Sequence, residues 1–290
     1  MTEPRAAGEP IRSRDLETAE GFAAYFRTLG AGSRYTPEQF ADFFAPLDPE
    51  SFRGRRIVEL GFGHGSFLWH WGRFGPARLA GVDLGDALEA ARAKLAHLPP
   101  GVLELSRGDL CEANLGEFDL AYCIGVIHHL ARPEDGFRAL LRHTRPGGCF
   151  HGWIYSREGN GFVIVVIDRV RHLAERLPLW ATRWLLGLGV ALPTFLYAKL
   201  LRFLAGGGSQ PTGALARLPA AAYALSIADR DFAFFHFLAT DFLVARRTVY
   251  LDRATLEHWL ADPQVEPGSA YLVHRNGNSW KFGGRKRSER

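Results

Sequence analysis

The chain has 290 residues, 47% hydrophobic and 23% charged, which is enough to bury a sizeable core and excludes a disordered or fibrous class. The formal charge is +4, but residues 285–290 hold four basic side chains and one acidic, so the remainder is close to neutral and no nucleic-acid partner is expected. Those six residues read as a solvated, poorly ordered end. Three widely spaced cysteines, Cys111, Cys123 and Cys149, show no metal-ligand spacing. Residues 1–20 are polar and charged rather than a secretory signal, so a reducing, cytoplasmic setting is expected.

In chain order, residues 1–15 read as disordered. Residues 15–44 then carry aromatic positions (Phe22, Tyr25, Phe26, Phe40, Phe43, Phe44) at helical spacing, with a Gly/Ser break at 30–33, which predicts a small helical cap. Strand–helix alternation follows. Strands are predicted at 56–61, 79–84, 103–105, 118–124 and 147–155. Helices are predicted at 65–74, at 86–97 with Asp86 as N-cap, and from Pro133 to about His143. This alternation predicts an α/β, doubly wound, mostly parallel sheet covered on both faces. Residues 156–250 break the pattern and read as helices and loops. A helix returns at 252–261, and strands at 269–275 and 279–283 flank Asn276-Gly277-Asn278, a connection short enough for an antiparallel hairpin. The stretch 184–204 is the nearest thing to a membrane span, but Pro193, Lys199 and Arg202 interrupt it, and no firm membrane association is expected.

The run from Arg56 to Gly65 ends an apolar strand in Glu59 and then places glycines at alternate positions, Gly61, Gly63 and Gly65. Glycine there permits a tight turn and close approach of backbone to a ligand, at the start of a helix whose free N–H groups face the loop. The spacing differs from the dinucleotide fingerprint, since Ser66 stands where its third glycine belongs. Asp83 follows Gly61 by 22 residues at the end of the second strand, a distance that suits a carboxylate receiving both hydroxyls of an adenosine ribose. Then come Arg107-Gly108-Asp109-Leu110, Ile124-Gly125-Val126-Ile127-His128-His129-Leu130 and Arg145-Pro146-Gly147-Gly148.

In order and spacing, residues 54–156 resemble the class I S-adenosylmethionine (SAM)-dependent methyltransferases. The resemblance implies a Rossmann-like, seven-stranded sheet closed by a reversed last strand, with a helical cap. It divides the chain into a tail and cap (1–53), a SAM-binding core (54–156), a helical insertion or substrate lid (157–250) and a return to the core (251–290). It implies cofactor contacts at Glu59, Gly61, Gly63, Gly65, Asp83, Leu84, Asp109, Leu110, Ile124 and Asn160, with Asp109 accepting from the adenine amino group.

Methyl transfer needs an aligned nucleophile, exclusion of water and, for a hydroxyl or ammonium acceptor, a base. His128 and His129, beyond the fourth strand, are the best-placed titratable pair. Tyr155, in the segment Trp153-Ile154-Tyr155-Ser156-Arg157-Glu158-Gly159-Asn160, is a third catalytic candidate. The insertion is rich in aromatic residues, which serve either as core or as faces for a sulfonium or ammonium. Asp229, Asp231, His236 and Asp241 punctuate its apolar run, and any of them could read a polar substrate group; no metal-ligand spacing is present.

The leading expectation is methyl transfer to a small-molecule acceptor. A variant takes a lipid or quinone-like acceptor and rests residues 184–204 on a membrane surface. The alternatives are cyclisation of SAM as sole substrate, giving azetidine-2-carboxylate and methylthioadenosine, and a non-catalytic SAM-binding protein. The acceptor and the oligomeric state are not legible in the sequence.

Overall fold

The computed structural model describes residues 13–27, 35–208 and 210–288. Its centre is a seven-stranded sheet in the order β3-β2-β1-β4-β5-β7-β6. The strands are β1 (Arg56–Leu60), β2 (Arg78–Asp83), β3 (Leu103–Arg107), β4 (Phe118–Ile124), β5 (Thr144–Tyr155), β6 (Tyr271–Arg275) and β7 (Ser279–Arg285). β1 to β5 run parallel, and β7 alone is reversed, antiparallel to both β5 and β6. The chain winds outward from β1 through β2 to β3, then crosses back to β4 and β5. The order therefore reverses between β1 and β4, and the crevice beyond their C-terminal ends is where open α/β sheets bind ligands.

Period-two alternation explains how both faces are filled. Val58, Leu60, Ala121 and Cys123 point to one side, where they pack with α5 (Pro133–His143) and α11 (Arg253–Leu260). Ile57, Leu79, Leu120 and Tyr122 point to the other, against α2 (Pro37–Phe44), α3 (Ser66–Gly72) and α4 (Leu88–Lys94). All eight of these strand side chains are 0% exposed, which is why these strands read as near-continuous apolar runs.

Several local expectations are corrected. α4 begins at Leu88 after Ala87, with no side-chain cap; Asp86 instead sits 3.6 Å from Arg27 on the surface. β5 starts at Thr144, so Arg145-Pro146-Gly147-Gly148 lies inside the strand, where Arg145 Nε donates to Asp119 Oδ1 at 2.7 Å. The basic end is built into the sheet as far as Arg287: Lys286 N–H donates to Gly148 O at 2.9 Å and Arg287 N–H to Gln264 O at 2.7 Å. Of the disorder expected for residues 1–15, residues 13–15 are corrected, since they open the helix Ser13–Arg27; residues 1–12 and the break at 30–33 lie outside the described residues.

Residues 156–250 form a helical layer beyond the strand ends. It comprises α6 (Gly161–Ala174), α7 (Leu179–Ala181), a π-helical turn (Thr182–Leu186), α8 (Gly187–Leu204), α9 (Ala221–Ser226) and α10 (Phe232–Val244). From Leu179 to Leu204 the helical path is unbroken, 26 residues running through Pro193, so it is long and apolar enough to cross a membrane, contrary to the sequence reading. α1 (Ser13–Arg27) joins this layer: the buried Tyr25 hydroxyl donates to Phe237 O at 2.9 Å, and Arg247 pairs with Asp15. The chain then re-enters the core, with Val249 N–H on His128 O at 2.7 Å and Leu251 N–H on Tyr155 O at 3.1 Å.

Candidate functional site

The glycine loop between β1 and α3 holds three left-handed glycines, and at two of them the place a Cβ would take is already occupied. Gly61 has φ +86°, and a Cβ there would come within 2.4 Å of Val126 Cγ2. Gly63 has φ +51°, and its Cβ would meet the Phe26 ring of α1 at 2.9 Å. Only glycine satisfies both the dihedral and the space. Asp83 locks the loop in place. Its Oδ2 accepts the Gly63 N–H and its Oδ1 the Gly85 N–H, each at 2.8 Å. Burial raises the Asp83 pKa, and those two N–H donors oppose the rise. Glu59 is 1% exposed and accepts the Tyr122 hydroxyl at 2.9 Å; burial pushes its pKa well above the usual carboxylate range.

The loop opens on a cavity of about 580 Å³, a size that suits small-molecule ligands. On its wall stand Glu59, Gly61, Gly63, Asp83, Leu84, Asp109, Leu110 and Ile124, all at strand C-terminal ends or just beyond them. Asp109 Oδ1 accepts the Cys111 N–H at 2.8 Å, which shapes the turn after β3. Two expected contacts are corrected. Gly65 lies behind the loop, capping α3 beside Ala91. Asn160 is 3% exposed and spends its amide N–H groups on the carbonyls of Ser156 (2.8 Å) and Asn278 (2.6 Å), tying α6 to the hairpin.

The catalytic candidates separate in the same way. His129 lines the cavity, and its Nδ1 lies 2.6 Å from the Arg247 carbonyl; since a carbonyl only accepts, Nδ1 carries the proton and Nε2 is the lone-pair nitrogen. Burial lowers its pKa to about 4, so the ring is neutral near pH 7. His128 is corrected: it is 1% exposed, sits off the wall, and has no hydrogen-bond partner for either ring nitrogen among the described residues. It packs 4.2 Å from the Tyr155 ring and 4.3 Å from the His129 ring, centroid to centroid. Tyr155 does reach the cavity, and burial raises its phenol well above the ordinary value.

The roof comes from the cap and insertion. Phe22 and Phe26 of α1 reach over the site, their rings 5.2 Å from His129 and 4.8 Å from His64. Of the four polar groups noted in the insertion, Asp231 caps α10 by accepting the Phe234 N–H at 2.8 Å. Asp229 pairs with Arg202 at 3.0 Å, and His236 Nε2–H donates to the Arg183 carbonyl at 2.7 Å. Asp241 alone faces the cavity. Its carboxylate has no hydrogen-bond or ion-pair partner among the described residues, and burial raises its pKa to about 7. Burial raises the phenols of Tyr35, Tyr155 and Tyr223 on the same wall, and Asp241 is near enough to add to that rise.

Tyr35, Arg230 and Arg275 are wall residues that sequence reasoning missed. Arg275 lies 4.5 Å above the Phe43 ring and pairs with Asp42; Arg230 lies 4.6 Å above Phe234. No local motif marks any of the three. They come together only when the hairpin, α2 and α10 pack around one space.

Residues 58–150 match a family model described as a methyltransferase domain. The chain is 36% identical over 144 residues to the tRNA U34 carboxymethyltransferase of Azotobacter vinelandii, covering 45% of each chain. It is 26% identical over 129 residues to a ubiquinone biosynthesis O-methyltransferase of Pseudomonas aeruginosa, covering 43% of this chain and 54% of that one. The chain thus spans about half the length of these curated relatives. The structure of PKMT2 from Rickettsia typhi in complex with AdoHcy shares the fold, with a TM-score of 0.52 and 13% identity over 95% of this chain and 54% of that one.

Proposed function

We propose that this chain, which belongs to the class I SAM-dependent methyltransferase superfamily, binds SAM at the C-terminal ends of β1 and β2 and transfers its methyl group to a small acceptor held beneath α10. The observation that carries this reading is the state of Asp83. Each of its oxygens takes one backbone N–H and retains a lone pair at the edge of the cavity, an arrangement that a ribose diol would complete. When bound, SAM supplies a methyl carbon activated by its sulfonium; an acceptor lone pair takes that carbon, the C–S electron pair stays on sulfur, and S-adenosylhomocysteine results.

The protein's own share is binding, alignment and removal of one proton. Asp83 holds the ribose, while Asp109 and the Leu110 N–H meet the adenine edge. Gly61 and Gly63 let backbone approach without a Cβ in the way. The aromatic wall of Tyr35, Tyr155, Tyr223, Phe22 and Phe26 excludes water and presents ring faces to positive charge. Asp241 takes the proton released by the acceptor, because a carboxyl with a pKa of about 7 is matched to that task at neutral pH, whereas His129 at about 4 is a weak base. His129 Nε2 accepts a hydrogen bond from the acceptor and orients it.

On this reading α1, α2 and the insertion 157–250 are the lid over the core 54–156. A cavity of about 580 Å³ roofed by α1 and α10 supports a small acceptor rather than a polynucleotide. The test is incubation with SAM, alone and with a panel of small amines and phenols, followed by mass spectrometry. S-adenosylhomocysteine formed only with a second compound supports methyl transfer. Methylthioadenosine with a cyclic amino acid from SAM alone would replace it by the cyclase reading, and tight binding without either product by a non-catalytic one.

A further inference from the structure

The helix Leu179–Leu204 carries large apolar side chains on both of its faces. Inward, against α9 and α10, it turns Gly187, Ala191, Ala198 and Leu201, with Phe195 packed edge-on to Phe232 and Phe235 at 5.6 and 5.3 Å. A second set of bulky residues faces outward. Leu192, Leu196 and Leu200 are each more than half exposed, Phe203 is 81% exposed, and Trp180 and Trp184 stand at 64% and 51% at the head of the helix. Their spacing along α8 (i, i+4, i+8, i+11) makes one continuous stripe. The inward set already anchors the helix, so the outward set is surplus to that packing, and a contiguous apolar patch of this kind marks an interaction surface.

Charge indicates the occupant. Residues 161–220 hold seven Lys and Arg against two Asp and Glu, although the whole chain is only +4. Arg176, Arg183 and Arg217, spread along the same layer, enter no ion pair among the described residues. Exposed leucines and a phenylalanine with tryptophans at one end, in a layer with an excess of arginine and with the Arg183 guanidinium 5.0 Å above the Trp184 ring, match an anionic lipid surface, where indole rings and guanidinium groups occupy the headgroup level.

The helix is long enough to span a bilayer, but its inner face is committed. The Lys199 ammonium donates to the carbonyls of Ala228 (2.6 Å) and Arg230 (3.1 Å), and α8 carries α10, which in turn carries Asp241. Insertion across the membrane would strip that packing from the cavity roof. We propose that the outer face of α8, headed by Trp180 and Trp184, docks in the plane of an anionic membrane surface while the rest of the chain stays outside it.

The experiment is flotation of the full chain with vesicles of phosphatidylcholine alone or doped with phosphatidylglycerol. The protein is expected to float with the anionic vesicles and to bind the neutral ones about a hundredfold more weakly, since three arginines near the surface contribute about fivefold each. High salt should reduce the difference. The triple variant Leu192→Gln/Leu196→Gln/Phe203→Gln should remain at the bottom of the gradient while its melting temperature is unchanged. Quenching of tryptophan fluorescence by brominated phosphatidylglycerol provides a readout on the unmodified chain. The proposal is overturned if the wild-type chain stays at the bottom with both vesicle types and shows no quenching. It is equally overturned if light scattering finds a dimer that the triple variant splits, because the stripe would then pair with its own copy.

Discussion

The carboxylate of Asp83 is hydrogen-bonded to the backbone of Gly63 across 20 residues of sequence, and this bond makes the glycine loop and the end of β2 one rigid unit. The same carboxylate faces the cavity, so loop geometry and ligand affinity depend on a single side chain.

Asp83→Asn should therefore weaken both. An amide has one acceptor oxygen where the carboxylate has two, so its nitrogen is turned toward either the Gly63 or the Gly85 N–H, donor against donor. Charge-assisted hydrogen bonds contribute about 1.5–3 kcal/mol each, so the affinity for S-adenosylhomocysteine should fall about 10–100-fold. Isothermal titration calorimetry reads this directly. An unchanged dissociation constant would remove Asp83 from the ligand site.

Gly61→Ala should destabilise the fold as well as the site. The new Cβ combines a positive φ with a 2.4 Å approach to Val126, for which about 1–3 kcal/mol is expected. Adding Val126→Ala removes the 2.4 Å contact but leaves the residue-126 Cβ 3.0 Å away and the dihedral unchanged, so the double variant should recover only part of the loss in urea denaturation. Full recovery would mean that neither the left-handed backbone nor the remaining 3.0 Å contact carries a cost there.

Asp241 gives a prediction in pH. With a pKa of about 7 it is an active base only above that value, so the acid limb of the kcat/KM profile should rise through pH 7 and be absent in Asp241→Asn. The groups around it are Tyr35, Tyr155 and Tyr223, all shifted upward, together with Arg275 and His129. Of these, His129 titrates near pH 4, so none competes for that limb. Stability should move the opposite way. A carboxyl whose folded pKa is raised stabilises fully below its unfolded pKa and loses that contribution as pH rises through the folded value. Asp241→Asn should thus gain stability over wild type between pH 5 and pH 8, by about 2.5 kcal/mol, because only about two units of the rise from 3.8 to about 7 lie above pH 5. Denaturant midpoints at the two pH values test it, and a variant less stable at pH 8 than wild type would show that the carboxylate is held by its surroundings.

How far these residues were legible follows from the range of the interactions that place them. β1, the glycine triplet and β4 are local patterns, and Asp83 lies one βαβ step from the loop, so spacing alone located them. Asp86 looked like a helix cap, but Asp83 already accepts the Gly85 N–H and shapes that turn, and the helix starts later. Tyr35, Tyr223, Asp241 and Arg275 are separated by as much as 240 positions and meet only through helix packing, which leaves no periodic or motif-like trace. The two histidines show the same limit at shorter range. Adjacent in sequence, they part because a 3-10 turn at Ile127–His129 sends His129 to the cavity and His128 into the core.

That parting leads to opposite outcomes for the two substitutions. His129→Ala deletes the ring that carries Nε2 on the cavity wall and should lower turnover while leaving S-adenosylhomocysteine binding near wild type. His128→Phe replaces a ring with no hydrogen bonds by an apolar one of similar shape, so turnover should change little. Its effect should appear in acid instead. Burial depresses the His128 pKa well below the ordinary histidine value, so below about pH 6.5 the unfolded chain takes up a proton that the folded chain refuses, and stability drains away as pH falls. The phenylalanine ring has no proton to take up. His128→Phe should match wild type within about 1 kcal/mol at pH 8, as volume-conserving core changes do, and be the more stable of the two at pH 5. Parallel loss of stability in both proteins on acidification would place the acid-sensitive group elsewhere, and His129, also neutral in the fold, would be the next to replace.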